Sequence, residues 1–281
     1  MSATFTRTIR PSSLVTWLDC PRRWAARHLA AEITGAGYSL QGARPNHVGA
    51  VVGTGVHGAA GWTMEQKRAT GELGNETEAK ERGLEAMRDA AQYGVTWDAT
   101  TGTLNTAQQQ VLRMTHTYRH DLAPRLTPIV VEERVDGDLG DGWILSGQVD
   151  MLAGDPRTSI DDLKTGTQQR ANGVQYGSYA LLWEMKGYHP TVIREHFIRR
   201  VAIAKPQPPP ATTEMDIRTA QADALEAIDD IKRGTALFHA RLHQNGRPAP
   251  SAFRANPSSS LCSARFCPAW GTNFCIVHKK D

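Results

Sequence analysis

The sequence predicts an α/β protein in which a small mixed β-sheet is flanked by helices. Helical spacing of apolar residues dominates the first 121 residues, strand patterns then follow, and helical spacing returns in the last third. A chain of 281 residues with 40% hydrophobic and 22% charged residues is ordinary for a globular protein. We expect one domain over residues 1–281, with N-terminal helices in 1–48, the core in 49–204, and a long helix and tail in 205–281.

Apolar periodicity and helix-start signals define the predicted helices. The first helical region divides at Cys20-Pro21, because proline is favoured at the first position of a helix. Residues 35–46 are Gly-rich and polar, which predicts a loop, and the prolines of 205–211 predict a stiff connector. Helices are predicted over Ser12–Ile33, Gly49–Ala69, Glu76–Gln92, Thr106–Asp121 and Val174–Lys186, and from Thr213 to about Leu242.

Strands are predicted over Ile129–Val135, Trp143–Leu152, Ser159–Lys164 and His196–Ile203. A turn over Gly154–Thr158, centred on Pro156, would set Asp150 directly opposite Asp162. Residues so opposed lie roughly 4.5–5.5 Å apart at Cβ, close enough to share one metal ion. Because side chains alternate along a strand, Lys164 shares the face of Asp162 while Asp161 points away. These residues predict either a functional site or a charged, solvated sheet face.

Composition restricts the classes of protein that this chain can represent. No apolar run approaches the length needed to cross a bilayer, and the first ten residues lack the apolar core of a secretory signal. We therefore expect a cytoplasmic protein without a membrane partner. The net charge of +3 permits nucleic-acid binding without demonstrating it. No G-x-x-x-x-G-K-[ST] phosphate loop is present, which argues against a built-in ATP motor.

The four cysteines are unevenly distributed. Cys20 lies near the start, whereas Cys262, Cys267 and Cys275 lie in the last twenty residues. Disulfides are disfavoured in the cytoplasm, so clustered cysteines indicate a metal site. The segment 245–281 is rich in loop-forming residues and needs something other than its own core to hold it.

The order of the motifs resembles the PD-(D/E)XK nuclease superfamily, and within it the RecB-like branch. The landmarks are, in chain order, Ser13-Leu14 through Cys20-Pro21, Gly53-x-x-x-His57, Gly147-Gln148-Val149-Asp150, Asp162-Leu163-Lys164-Thr165-Gly166, Gln175-Tyr176-Gly177-Ser178-Tyr179 and the terminal cysteines. The resemblance implies a restriction-endonuclease-like core. It also implies a metal-dependent exonuclease that hydrolyses single-stranded DNA or duplex ends in recombination, repair or phage DNA processing, with or without a helicase partner.

The resemblance also implies a set of site residues. By it, His57, Asp150, Asp162 and the Leu163 carbonyl bind a divalent metal, and Lys164 stands beside the scissile phosphate as a catalytic residue together with the two aspartates. Carboxylates suit Mg²⁺ or Mn²⁺, and an imidazole ligand favours Mn²⁺. A histidine held by a neighbouring side chain on its helix is the alternative for His57.

Further residues are implied in DNA binding or metal support. Gln175 and Tyr179 are four apart on a predicted helix, and the Q-x-x-x-Y element of the family contacts DNA; packing against the sheet is the alternative. Arg22 and Arg23 would line an entrance for DNA phosphates or form a solvated helix face. Either Glu132 or Glu133 would supply a further acidic group, and the sequence does not decide between them.

The cysteines resemble the [4Fe–4S] ligands of AddB-type and CRISPR-adaptation nucleases, where one N-terminal cysteine joins three C-terminal ones. Their spacings here, C-x4-C and C-x7-C, exceed by two residues the usual C-x2-C and C-x5-C of the family. Through Cys20, the resemblance implies a structural cluster that ties the chain start to the chain end. Zinc bound by Cys262, Cys267, Cys275 and His278 is the rival.

Two other classes of function compete with the exonuclease. A non-catalytic DNA-binding or scaffold protein could keep the nuclease fold, and a zinc-stabilised module could act with a separate helicase. The intact set of two aspartates and a lysine favours the enzyme.

Overall fold

A mixed six-stranded β-sheet lies between two layers of helices in the part of the chain that the structure describes. This computed structural model describes residues 6–42, 45–154, 157–170, 172–240, 246 and 248–277. The strands are β1 (Arg7–Ile9), β2 (Asn46–His47), β3 (Val95–Thr96), β4 (Pro128–Asp138), β5 (Trp143–Ala153), β6 (Ser159–Gly166), β7 (Val192–Arg199) and β8 (Ala211–Met215). The helices are α1 (Pro11–Asp19), α2 (Pro21–His28), α3 (Ala30–Gly35), α4 (Val48–Thr70), α5 (Glu76–Ala91), α6 (Leu104–Thr117), α7 (Gly173–Met185) and α8 (Ile217–Ala240). The predicted α/β class is confirmed.

The long strand β5 organises the sheet, because three other strands pair with it. Strand β4 runs antiparallel along one edge of β5. The other edge is shared by β1, which is parallel at Trp143–Leu145, and by β6, which is antiparallel at Met151–Ala153. Beyond these, β7 is parallel to β6 and β8 is antiparallel to β7, while β2 and β3 form a separate two-stranded ladder. The β5–β6 pairing ends at Met151 and Asp161. Beyond this pair the two strands separate, which leaves a gap in the middle of the sheet.

The two faces of the sheet bury separate apolar cores. One core lies toward α1, α7 and α8 and includes Val149, Leu152 and Ile160 from the strands. The other lies toward α4 and α6 and includes Met151 and Leu163. The assignment of strand residues to one core or the other shows which way each side chain points.

Several boundaries differ from the sequence prediction, most of all those of the last two strands. Strand β7 begins at Val192 and not at His196, and it ends before Ile203. Residues 213–215, which were expected to begin the last helix, belong instead to β8, which starts at Ala211. This strand lies at the sheet edge with mostly exposed side chains, so it carries no apolar alternation that could predict it. Helix α8 then starts at Ile217, after Asp216, whose carboxylate accepts a hydrogen bond of 2.8 Å from the Thr219 amide.

The N-terminal helices hold the C-terminal segment in place. The predicted break at Cys20-Pro21 separates α1 from α2, and a third short helix follows. Within residues 248–277 the regular structure is a short 3₁₀ turn at Pro250–Ala252. Side chains from the chain start bind the main chain of this tail; Tyr38, for example, donates to the Pro248 carbonyl at 2.6 Å. The centre of the predicted β5–β6 turn, Pro156, lies outside the described residues.

None of the described helices combines the length and the apolar character that a bilayer crossing requires.

Candidate metal centre

Helix α4 brings His57 against the sheet because small residues lie on either side of it. Gly53, His57 and Gly61 are four residues apart and therefore share one stripe of the helix. A Cβ atom on Gly53 would lie 2.8 Å from Thr165 Oγ1, and one on Gly61 would lie 2.9 Å from Glu132 Cγ. Neither position has room for a larger residue. The absence of these Cβ atoms lets the helix approach the strands that carry the acidic residues.

A break in strand alternation aims two carboxylates at this helix. Val149 belongs to the core on the α7 side and Met151 to the core on the α4 side, although residues two apart in a regular strand share a face. The neighbouring strand β4 has an irregularity at the same level, because Glu132, between the residues that pair with Met151 and Val149, has a φ of 49°. Such irregularities often re-aim side chains beside functional sites. Here they direct both Glu132 and Asp150 toward His57.

His57, Glu132 and Asp150 form a compact group of ligating atoms. One such atom from each residue lies within 4.8 Å of the others, and His57 Nδ1 is 3.3 Å from Asp150 Oδ2. Glu132 is held by Gln148, whose side-chain amide donates to Glu132 Oε2 at 2.7 Å. Asp150 Oδ2 accepts the Leu163 amide at 2.8 Å. The uncertainty between Glu132 and Glu133 is resolved geometrically, because Glu133 pairs with Lys186 at the end of α7.

The ion pair between Asp162 and Lys164 lies next to this group. Lys164 Nζ is 2.6 Å from Asp162 Oδ2, and this buried oxygen has no hydrogen bond from any other described residue. The observed pairing of Met151 with Asp161, continued by one residue, sets Asp150 opposite Asp162 as predicted.

The charges of these five residues are strongly linked. Burial and the charge of Asp150 raise the pKa of both Glu132 and Asp162 to about 7. Burial disfavours the charged form of His57, but Asp150, Glu132 and Asp162 outweigh it and raise its pKa to about 9. Burial likewise opposes the ionisation of Asp150, but His57 and Lys164 keep the pKa of Asp150 below its usual value. The pKa of Lys164 is raised because Asp162 and Asp150 overcome its burial.

This group fits a divalent cation. Three carboxylates face one ammonium and one imidazole, so negative groups outnumber positive ones, and a cation would offset the charge that burial makes unfavourable. Mg²⁺ binds oxygen ligands at roughly 2.0–2.1 Å, so atoms up to roughly 4.2 Å apart can share it. The separations between His57, Glu132 and Asp150 are close to that limit. The donor set, oxygen with one imidazole nitrogen, suits Mg²⁺ and Mn²⁺.

Comparison with known proteins agrees with this arrangement. The sequence pattern of the PD-(D/E)XK nuclease superfamily matches residues 8–272. The chain belongs to this superfamily.

Solved structures were matched at low similarity. A crystal structure from Eubacterium rectale, described as "Putative exonuclease", is 10% identical with a TM-score of 0.48, covering 81% of this chain and 80% of that one. A crystal structure of SSO0001 is also 10% identical, with a TM-score of 0.28, covering 77% of this chain and 94% of that one. The curated proteins that were compared yielded no match.

The nuclease places two buried residues at its metal centre that the sequence did not indicate. Asp161 points away from Lys164, as predicted, but it lines the same cavity as His57 and Asp150. His196 Nε2 contacts Asp161 Oδ1 at 2.7 Å, and His196 Nδ1 lies 2.9 Å from Thr212 Oγ1. Residues on three adjacent strands thus form this chain of polar contacts, which no single stretch of sequence could reveal.

Gln175 and Tyr179 share one face of α7, as their spacing predicts. Both are buried, and the Gln175 side-chain amide donates to the Tyr179 hydroxyl at 3.0 Å. Burial and the charge of Asp162 raise the pKa of the Tyr179 hydroxyl. The same helix carries Tyr176, whose ring centre lies 5.3 Å from Lys164 Nζ.

The structure corrects the prediction for Arg22 and Arg23. They are 7% and 2% exposed, so neither forms a DNA entrance or a solvated face. Arg22 donates to the Phe253 and Pro250 carbonyls at 3.1 and 2.9 Å. Arg23 contacts Asp19 at 2.6 Å and donates to Ser259 Oγ at 3.2 Å. Both arginines attach the tail to α2, a role that helical spacing alone could not predict.

The four cysteines meet in one place, although 242 positions separate Cys20 from Cys262 in the chain. Cys20, Cys262, Cys267 and Cys275 all line a single cavity, next to Arg22 and Arg23. Burial raises the pKa of the Cys267 thiol, and the nearby Cys20 and Cys275 raise it further. His278, the fourth ligand of the predicted zinc alternative, lies outside the described residues.

Proposed function

We propose that this nuclease is a metal-dependent DNA exonuclease of the RecB-like branch, acting on single strands or duplex ends in recombination, repair or phage DNA processing. The observation that carries the proposal is the meeting of His57, Glu132 and Asp150 beside the Asp162–Lys164 ion pair, within a chain of the nuclease superfamily.

The proposed roles combine the family resemblance with the contacts of the side chains. His57, Asp150, Asp162 and the Leu163 carbonyl hold Mg²⁺ or Mn²⁺, with Glu132 as an additional carboxylate. When bound, such an ion lowers the pKa of water and neutralises charge on a phosphate. Gln148 and the Leu163 amide keep the carboxylates in position.

Lys164 is proposed to act on the scissile phosphate. Its ammonium stays protonated at neutral pH, because Asp162 and Asp150 raise its pKa. A fixed positive charge in a partly buried site stabilises negative charge that develops on the phosphate oxygens. Lys164 also lines an open groove together with His47, Arg170 and Asn172, which suits a phosphate backbone. We assign Gln175 and Tyr179 to the support of this site.

We also propose a [4Fe–4S] cluster on Cys20, Cys262, Cys267 and Cys275. Two facts support it: the four residues line one cavity, and the arginines beside them can offset the negative charge of a thiolate-bound cluster. The tail around these cysteines has little regular structure, so a cluster would act as a structural tie between the chain ends. A zinc ion held by the three C-terminal cysteines is the competing occupant, and a helicase partner is compatible with either.

A nuclease assay tests the proposed activity. The purified chain should shorten end-labelled linear DNA in the presence of Mn²⁺ or Mg²⁺, and circular single strands should resist it. Lys164→Met should lower kcat on the order of 100-fold or more, as expected for loss of a charge that stabilises the transition state. Lys186→Met is the matched control, because Lys186 also pairs with a carboxylate and lies 5.6 Å from an aromatic ring, that of Trp183.

Three other outcomes of the assay would contradict parts of the proposal. Cleavage of circular strands would replace the exonuclease with an endonuclease. DNA binding without turnover in any metal would favour the non-catalytic scaffold. A Lys164→Met protein as active as the parent would refute the site assignment.

A further inference from the structure

A second group of metal-ligating side chains lies on the surface, on elements other than those that carry the metal centre. Glu76 at the start of α5 faces His116 in the last turn of α6 and His120 in the π-helical turn Tyr118–Leu122. His116 Nδ1 is 3.0 Å from Glu76 Oε1, and His120 Nε2 is 3.0 Å from Glu76 Oε2. Ligating atoms from all three residues lie within 4.8 Å of one another.

The backbone conformation brings Glu76, His116 and His120 close together. A π turn is rare and occurs often at functional sites, and here it carries His120 so that the two imidazole centres are 4.1 Å apart. Between the histidines, the buried Arg119 donates to the carbonyls of Leu73 and Gly74 at 2.8 and 2.7 Å. The loop that precedes Glu76 is thereby fixed to the π turn. These contacts fix the backbone on both sides of the group, independently of any attraction between the three side chains.

We propose that Glu76, His116 and His120 form a binding site for Zn²⁺ or a similar transition-metal ion. Two imidazoles and one carboxylate are a typical three-ligand zinc set, with water in the fourth position. Ligand atoms around a tetrahedral zinc ion lie roughly 3.3–3.5 Å apart. The two observed contacts of 3.0 Å, each to a different oxygen of Glu76, are within a few tenths of an ångström of that separation. Mg²⁺ is a poor occupant, because it prefers oxygen ligands.

Lys80 distinguishes a metal site from a surface ion-pair cluster. Its ammonium lies 2.7 Å from Glu76 Oε1 and competes with a cation for that carboxylate. In an ion-pair cluster, loss of Lys80 removes a favourable contact and weakens the group. In a metal site, the same loss frees a ligand and strengthens metal binding.

A bound ion would join α5 to the end of α6. The same π turn carries Tyr118, which is buried on the wall of the cavity that contains His57 and Asp150. The ion would therefore hold the outer side of an element whose inner side borders the metal centre. This role is structural and does not require the ion to contact DNA.

Zinc titration of the full-length chain tests the proposal. The parent should bind one equivalent of Zn²⁺ more than the double variant His116→Gln/His120→Gln, and zinc should raise the Tm of the parent more than that of the variant. Comparing the two proteins removes any zinc taken up at the metal centre or by the cysteines. His239→Gln is the matched control, because His239 is an exposed histidine that contacts one carboxylate, Glu32. It should bind zinc as the parent does.

Lys80→Met provides the second measurement. We expect its zinc affinity at this site to rise severalfold over the parent. Equal zinc stoichiometry in the parent and the double variant, or weaker binding by Lys80→Met, would overturn the proposal.

Discussion

Lys164 Nζ lies 5.3 Å from the centre of the Tyr176 ring, and the hydroxyl of the same tyrosine donates a hydrogen bond to Glu195. Glu195 is buried and also accepts hydrogen bonds from Gln169 and Asn172. The ring that supports the lysine is thus anchored from beneath by a carboxylate on β7. We therefore expect Tyr176 to position Lys164.

Replacement of Tyr176 should lower kcat more than it changes KM. Tyr176→Leu removes the cation–π contact, which is worth about 0.5–2 kcal/mol, so kcat should fall roughly 2- to 30-fold. Tyr176→Phe keeps the ring and should retain more activity. It should still cost about 1–3 kcal/mol in the free energy of unfolding, because Glu195 loses a buried partner. Steady-state kinetics and denaturant unfolding measure the two effects.

Tyr188→Phe is the control for the tyrosine series, since Tyr188 is partly exposed and packs against Trp183 away from Lys164. Its kcat should equal that of the parent. An unchanged kcat in a folded Tyr176→Leu protein would contradict the positioning role.

Metal binding should stabilise the protein more as the pH rises. In the metal-free protein, the pKa of Glu132 and Asp162 is raised to about 7. The stability that these two groups contribute is therefore fully present at a pH below the ordinary pKa of a carboxyl group. It is lost as the pH rises through about 7. The pKa of His57 is also raised, to about 9, so its contribution to stability is likewise lost as the pH rises through about 9. A bound ion requires all three groups to be deprotonated, so it competes with protons.

Thermal unfolding with Mn²⁺ and with a chelator measures this linkage. The increase in Tm caused by Mn²⁺ should grow between about pH 6 and about pH 9, and calorimetry in buffers of different ionisation enthalpy should detect proton release. Asp150→Asn should show a much smaller increase at every pH. A Tm increase that is independent of pH in the parent would disprove the proposed ligand set.

The parts of the site that follow strand alternation could be predicted from the sequence. The Asp162–Lys164 contact and the separate direction of Asp161 depend only on the two-residue period of β6. The role of Glu132 could not be predicted, because it depends on a positive φ that glutamate seldom adopts and on a matching break in β5.

Burial by residues that are distant in the sequence also could not be predicted. The spacing of Arg22 and Arg23 on α2 is compatible with a solvated face, and only the arrival of the tail more than 200 residues later buries them. The helical spacing of Gln175 and Tyr179 was predicted correctly, yet the residue between them, Tyr176, contacts Lys164. Whether a side chain on a known helix meets the site depends on the strand packed beneath it.

Gly61→Ala should disturb the metal centre from the helix side. The added methyl group would lie 2.9 Å from Glu132 Cγ, so either the carboxylate or α4 must move. Such overpacking typically costs about 1–3 kcal/mol in the free energy of unfolding. The Mn²⁺ concentration needed for half-maximal activity should rise at the same time, because Glu132 is displaced from His57. Metal titrations of the nuclease rate measure this change.

Gly173→Ala is the matched control, since Gly173 also lies in a helix but nothing approaches its added Cβ within 4 Å. It should leave the Mn²⁺ dependence unchanged. If the two variants behave alike, close packing of α4 does not position Glu132.

Replacement of Cys20 separates the two metals proposed for the cysteine cavity. A [4Fe–4S] cluster needs all four cysteines, so Cys20→Ser and Cys267→Ser should both lose iron, labile sulfide and the brown colour after anaerobic purification. Zinc bound by the three C-terminal cysteines would be lost from Cys267→Ser but retained by Cys20→Ser. Because Cys20 is the ligand nearest the chain start, cluster loss should also expose the tail to proteolysis, while the hydrogen bonds from Arg22 to Phe253 and Pro250 keep part of it attached. Iron absent from the parent, with one zinc that survives in Cys20→Ser, would establish zinc as the occupant.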